Sequence, residues 1–381
     1  MLGANGFTTL LPMFQIEWGL SNTQAGLVAG CQYFGFMLTV PVLSALTDRF
    51  DARRVVLCGL GVVVATSYLF AFVADGFWSA LIIRSLYGTG FAATYMPGLR
   101  ALTDQIDDPA MKARATTWYL VAFSTGVALS ILIAGQLAPP LGWRGSFGIV
   151  AALATVAFAL NIFYLPRRRA APAQPPTLRE VFDFRPVLRH RPAMAYVVGQ
   201  CGHTWEMFAI VSWTVAFLMY VSDRAAGTSG WPRPTEIATL AAFAGIPASL
   251  IGGGLAASFG RRKVILTAMV ASCGAILAFP WVADFGYPAA AMFVMVVMML
   301  IYVDSPVLTA GLVANAPEGR AGAAMGLHTF LGFCGGFLGP LAFGAMLDTV
   351  GRESTMDWSM AFATAAVAGM IGWLPMLRWG R

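Results

Sequence analysis

Residues 44–54 read Ser44-Ala45-Leu46-Thr47-Asp48-Arg49-Phe50-Asp51-Ala52-Arg53-Arg54, and residues 253–263 read Gly253-Gly254-Leu255-Ala256-Ala257-Ser258-Phe259-Gly260-Arg261-Arg262-Lys263. Laid one over the other, the leucine, the phenylalanine and the closing basic pair fall in register. Around them the chain is a series of apolar runs: 21–46, 55–74, 76–99, 114–138, 146–165, 193–221, 236–257, 264–283, 287–312, 321–347 and 358–377, with a shorter one at 1–14. Each is about as long as one bilayer-spanning helix requires. The first stretch follows the second run and the other follows the eighth. An all-α integral membrane protein built as a repeat of six-helix units is therefore predicted, an architecture that transporters use with a site near the midplane.

Composition agrees. Of 381 residues, 58% are hydrophobic and 11% charged, with a mean hydropathy of +0.71, whereas soluble chains average about 25% charged residues. Orientation follows from the basic residues. Assigning alternate loops to the cytoplasm from 47–54 onward puts nineteen of the 24 Lys+Arg on that side. Arg144, Arg224, Arg233 and Arg352 fall opposite, and Arg84 lies between. The net charge of +6 thus reflects topology and implies no nucleic-acid partner. A cytoplasmic carboxyl terminus in a plasma (inner) membrane follows. The proline- and arginine-rich stretch 166–192 reads as a cytoplasmic linker between halves 1–165 and 193–381, with a short amphipathic piece at 177–184. Cys31, Cys58, Cys201, Cys273 and Cys334 all fall in apolar runs without a CxxC pair and read as small buried hydrophobes. Fourteen helical residues reach about 21 Å, so the run at 1–14 is expected to be a truncated first span. Restoring it makes twelve.

The two stretches resemble the G-x-L-x-D-R-x-G-R-R loop of the major facilitator superfamily. Arg84-Ser-Leu-Tyr-Gly88-Thr-Gly90 is similar to that family's fourth-helix R-x-x-x-G-x-G motif, and Arg114 and Arg320 open the fifth and eleventh spans as its loop arginines do. Gly335 to Gly344, with Pro340, is similar to its glycine-proline packing pattern. The resemblance covers the whole chain. It implies two six-helix bundles rocking about a central cavity, with helices four, seven, ten and eleven near the cavity or its gates and three, six, nine and twelve outside. It departs where Ser44 and Asp51-Ala52 replace glycine and Gly-Arg, and where Ala257-Ser258 replace Asp-Arg. The fifth span lacks the glycine-proline pair of drug antiporters.

Four groups of ionisable residues lie within the apolar runs, where charge is costly and usually functional. Arg84 sits about 12 Å in from the outer end of its span, with Tyr87, Gly88, Phe91 and Tyr95 near its face. It is expected either to hold a substrate carboxylate or to pair with a neighbouring helix. Gln200, His203 and Glu206 recur at helical spacing with Trp213 beyond. His203 and Glu206 read as a proton relay, or as a neutral imidazole against a protonated carboxyl, and Glu206 is expected to pair with Arg84. Asp304 is a further coupling candidate or a cap for Ser305-Pro306, and His328 is the fourth. In the loops Asp48, Arg49, Arg53, Arg54, Gly253, Gly260, Arg261 and Arg262 form a gating set. Asp48 is expected to meet the start of the eleventh span, and the arginines to bridge Asp104, Asp107 or Asp108, or merely to obey positive-inside charge. The glycines at 252–254 and 322–344 read as packing faces.

The expected protein is a monomeric secondary transporter, most concretely a proton-coupled importer of an organic anion. Substrate-binding Arg84, Tyr87, Tyr95, Gln200 and Trp213 and coupling His203, Glu206, Asp304 and His328 serve it. Efflux of an amphipathic compound is the alternative within the class, and a transport-inactive sensor or assembly factor the alternative outside it. No metal or other cofactor is implied, and the lack of any HExxH, G-x-S-x-G or Walker pattern argues against an enzyme or ATP-driven pump.

Overall fold

The computed structural model describes residues 1–167, 183–225 and 230–380, without the side chains at positions 44, 45, 48, 49, 109 and 113. Among the described residues every regular element is a helix. They are α1 (Gly6–Thr9), α2 (Leu11–Trp18), α3 (Asn22–Arg49), α4 (Ala52–Val73), α5 (Phe77–Thr103), α6 (Pro109–Tyr164), α7 (Arg185–Arg189), α8 (Arg191–Arg224), α9 (Pro234–Phe259), α10 (Arg261–Ala283), α11 (Tyr287–Val303), α12 (Ser305–Asn315), α13 (Ala321–Val350) and α14 (Thr355–Trp379).

Nine stretches among the described residues are long and apolar enough to cross a membrane. One of them is double. At 56 residues α6 would measure about 84 Å if straight, but Pro139 and Pro140 lead into Gly142, whose φ of 69° reverses the chain. Splitting it there and adding the 27-residue α5 to the nine makes the eleven spans read from the sequence. The first segment differs from its expected bounds. It breaks at Leu10 and runs on to Trp18, where Gly19 at φ 62° ends it with a left-handed cap.

Contacts divide the chain into two compact units: Met1–Gly6 with Cys31–Asp183, and Phe7–Gly30 with Phe184–Arg381. They part inside 166–192, of which 168–182 lie outside the described residues. Most of the amphipathic piece proposed at 177–184 lies there too. Helix α3 is divided between the units after Gly30.

In the first unit, α3 and α5 meet at backbone distance. A methyl on Gly88 would overlap the Gln32 carbonyl, and one on Gly35 would overlap that of Ser85. Close approach of this kind substitutes for hydrophobic drive inside a bilayer. Arg144 donates to the carbonyls of Ala71 (3.1 Å) and Ala74 (2.9 Å), closing the end of α4. In the second unit α8 is central. Gly335 and Gly339 of α13 pack on the Cys201 and Trp205 carbonyls. The Phe217 ring lies 5.0 Å from both Trp358 and Phe362 and 4.9 Å from Phe279.

The repeat is visible in side-chain roles. Gly252 of α9 meets the Val303 carbonyl, just as glycines join α3 to α5 in the other unit. Arg53 donates to the Ile162 carbonyl at 2.5 Å, near the end of α6. Its counterpart Arg262 donates to Leu377 at 2.6 Å and Met376 at 3.4 Å, near the end of α14. Each fastens the last span of its half. Among the described residues Arg53 meets the Ile162 carbonyl and none of the acids it was expected to bridge; Asp108 caps α6 by accepting from the Met111 amide, and Asp104 lies 3.7 Å from Arg100. The carbonyls at a helix end are unpaired acceptors, and a guanidinium prefers them when acids are committed elsewhere.

The turn between spans is solved in two ways. Gly260 closes α9 and opens α10 at φ 87° and ψ 142°, a conformation that costs a side-chain-bearing residue about 1–3 kcal/mol. Its counterpart Asp51 stays at φ −56° and accepts from the Arg53 amide at 3.0 Å, a side-chain N-cap in place of a glycine. Two further expectations are corrected. Of Gly252–Gly254 only Gly252 packs, since Gly253 and Gly254 face open space. Cys58 is exposed on its helix. The Asp48 and Arg49 side chains lie outside the described residues.

Candidate functional site

The first unit holds the buried Arg84. The residue is 3% exposed, and its guanidinium lies among Cys31, Tyr33 and Tyr87. It lines a cavity of about 20 Å³, with Thr66 and Ser67 of α4, Tyr87 of α5, Phe147 and Val150 of α6, and Gly3. That is room for about one water molecule. The Thr66 and Ser67 hydroxyls donate to the carbonyls of Val62 and Val63 at 2.7 Å and keep lone pairs to offer. The Tyr87 hydroxyl has no hydrogen-bond partner among the described residues.

Arg84 and Tyr87 are thus brought together, and Tyr95 is not. Eleven residues along α5 set it about 16 Å away. Its ring packs on Phe123 at 4.6 Å and Phe36 at 6.2 Å. The neighbouring Pro97 interrupts the α5 hydrogen-bond ladder. The Tyr119 hydroxyl answers it, within reach of the carbonyls of Thr94 (2.7 Å) and Tyr95 (2.8 Å). Sequence reading passed over Tyr119, and also Gln32, a 1% exposed amide in α3 whose polar side-chain atoms lack a hydrogen-bond partner among the described residues. A glutamine inside an apolar run was the available signal.

The second unit gathers the four coupling candidates. His203 of α8 places Nδ1 2.8 Å from Oδ1 of Asp304, with side-chain exposures of 1% and 4%. Asp304 stands where the tenth span breaks into α11 and α12, and its side chain makes no capping hydrogen bond to Ser305-Pro306. Its backbone carbonyl accepts from Leu308 at 2.8 Å, so the helix resumes and the carboxylate turns to the histidine. The pairing of His203 with Glu206 expected from their spacing is thereby corrected. A tertiary partner displaced the local one. Glu206 lies one turn on, beside Ser272 of α10 and against Gly369 of α14. His328 of α13 is near His203. Nε2 of both histidines and Oε1 of Glu206 have no hydrogen-bond partner among the described residues. Unsatisfied buried polar atoms are expensive, and a cluster of them calls for a functional reason.

Of the other two candidates on α8, Trp213 is engaged in packing, and Gln200 keeps a buried Oε1 with no hydrogen-bond partner among the described residues. Trp213 is 1% exposed, donates from Nε1 to the Pro340 carbonyl at 3.1 Å and stacks on Phe343 at 5.4 Å. Gln200 is half-buried against Gly332. One placement recurs in both units. Arg84 leans on the third and sixth spans, and Glu206 on the ninth and twelfth, the helices expected to stand outside.

A family model described as Major Facilitator Superfamily matches residues 1–229. The phosphoglycerate transporter protein of Salmonella typhimurium is 22% identical over 91% of this chain and 80% of its own length. Spinster homolog 3 of Danio rerio is 25% identical over 57% of this chain, which spans only 44% of that protein. Among solved structures, a bacterial homologue of the human lysosomal transporter Spinster superposes with a TM-score of 0.78 over 99% of this chain and 93% of that one, at 16% identity. The nucleoside transporter NupG gives 0.80 over 100% and 96%, at 13% identity.

Proposed function

The chain belongs to the Major Facilitator Superfamily, and from that premise we propose that this membrane transporter moves an organic anion by alternating access, driven by protons. One observation carries the reading. His203, Asp304, His328 and Glu206 converge as a buried titratable cluster in one unit, while the other buries a cationic anchor, Arg84. Proton-coupled carriers need a group that changes charge out of bulk water and a substrate group of opposite sign to the anchor. Relatives named as a phosphoglycerate transporter, a probable anion transporter and a 4-hydroxybenzoate transporter favour an anionic cargo.

In this mechanism the His203–Asp304 pair and Glu206 exchange a proton with one side of the membrane and release it to the other. Arg84 and Tyr87, side by side on the 20 Å³ space, engage the anionic group. Import across the plasma membrane is the direction proposed. A relative named as a probable sphingolipid transporter favours a second reading, proton-coupled efflux of an amphipathic compound.

Counterflow in proteoliposomes with a panel of carboxylates and phosphorylated acids, at two external pH values, tests both. Symport requires that an acid exterior drive accumulation and that a protonophore abolish it. Accumulation favoured by an alkaline exterior would reverse the direction, and indifference to pH would remove the proton.

A further inference from the structure

We propose that the space beside Arg84 receives a hydroxyl of the cargo, with Thr66 and Ser67 as its acceptors, so that the substrate is a hydroxy acid and not a plain carboxylate. This rests on the anion-transport reading and narrows it. Every group involved lies in the first unit.

Four polar side chains line the space, and they are of two kinds. On α5, Arg84 carries donors only, and the Tyr87 hydroxyl, which has no hydrogen-bond partner among the described residues, brings one more. Thr66 and Ser67 come from α4, and their protons are committed. Thr66 Oγ1 donates to the Val62 carbonyl and Ser67 Oγ to the Val63 carbonyl, each at 2.7 Å and each one turn back along the same helix. A hydroxyl has one proton and two lone pairs, so these two present lone pairs to the space. Both residues are buried, away from bulk water. The other side chains of the wall, Phe70, Ile83, Phe147 and Val150, offer no polar atom.

At about 20 Å³ the space takes one oxygen-sized group. That group must accept from α5 and donate to α4. A halide or a carboxylate oxygen only accepts, and would set its charge against two carriers of lone pairs. An ammonium only donates, and would face the guanidinium. A hydroxyl does both. With the carboxylate at the guanidinium and the hydroxyl in the adjoining space, the two groups stand a few bonds apart, as they do in 2- and 3-hydroxy acids. Water makes the same bonds. An acid without the hydroxyl must therefore hold a water there or leave the acceptors unanswered, and either lowers its affinity. Gly3 limits the size of the guest, since a methyl on it would come within 3.3 Å of both the Tyr87 hydroxyl and Val150. Thr66 and Ser67 are thus specificity residues.

Thermal-shift titration of the purified full chain tests this with lactate, mandelate and 3-hydroxybutyrate, each beside its deoxy and keto counterparts. A hydroxy acid is expected to bind about tenfold more tightly than either counterpart, which is what one good hydrogen bond contributes. Thr66→Val combined with Ser67→Ala is expected to erase that preference. Equal affinities within every set would overturn the hydroxyl assignment and leave the anion reading standing. So would a double variant that keeps the preference, or one that weakens the deoxy acids as much as the hydroxy acids, because the two hydroxyls would then be donating to the carboxylate. Should the double variant yield no folded protein, the sets measured on the unaltered chain decide alone. Binding of no acid in the panel would sink the anion reading, and this assignment with it.

Discussion

At the scale of the residue, an ionisable group buried inside an apolar span marks chemistry, and stacked rings and close backbone approach mark packing. Arg84 stands beside a space for one water, and its fork of donors suits two carboxylate oxygens at once. Arg84→Ala is expected to abolish anion binding, and Arg84→Lys to weaken it about tenfold, the loss of one good charge-assisted bond; binding measured by scintillation proximity or tryptophan quenching checks both. Equal binding by the lysine variant would mean that charge alone suffices. In the second unit, Asp304→Asn is expected to retain anion exchange while losing proton-driven accumulation, and Glu206→Gln to do likewise. If accumulation survives in Asp304→Asn but not in Glu206→Gln, the proton rides on Glu206 alone. His203→Ala strands a buried carboxylate and should cost about 3 kcal/mol or more of stability, read as a fall in the midpoint of thermal unfolding that His203→Gln partly restores.

At the scale of the element, the same chain reversal is made twice with different chemistry. Gly260→Ala meets no steric obstacle, so its cost is the positive-φ extended backbone alone, about 1–3 kcal/mol. Asp51→Ala removes a side-chain cap and should cost about 1 kcal/mol. Comparing the melting midpoints of the two variants checks the pair, with Gly260→Ala expected to be no milder than Asp51→Ala. The α3–α5 seam is less forgiving. Gly88→Ala drives a methyl into the Gln32 backbone, and a loss of monodisperse protein on size exclusion is the expected result. Gly253→Ala, which faces open space, is expected to behave as the unaltered chain.

At the scale of the whole molecule, proton coupling implies a signed dependence. Accumulation should rise as the outside is made more acid and fall to equilibrium when the gradient is dissipated, which an uptake assay with a pH jump measures. Much of the architecture behind this was legible in the sequence. Spans announce themselves because a bilayer demands about twenty apolar residues and satisfied backbone, and the reversal at Gly142 falls in the gap between two runs. Arg84, His203, Glu206, Asp304 and His328 stood out because charge in such runs is rare. Their partners did not. His203 meets Asp304 across a hundred residues of chain, Arg53 reaches a carbonyl of Ile162, and Asp348 finds two amides 325 or more positions away. Spacing along one helix suggests only neighbours on that helix, so it named Glu206 where packing supplied Asp304.

The unlike turns at Asp51 and Gly260 mean that the two halves are alike without being interchangeable. At Asp51 a carboxylate holds an ordinary backbone, and at Gly260 a bare backbone takes a conformation that side chains avoid, while Arg53 and Arg262 each hold the final helix of their own half. Grafting either loop onto the other half would import a remedy for a turn that half does not make.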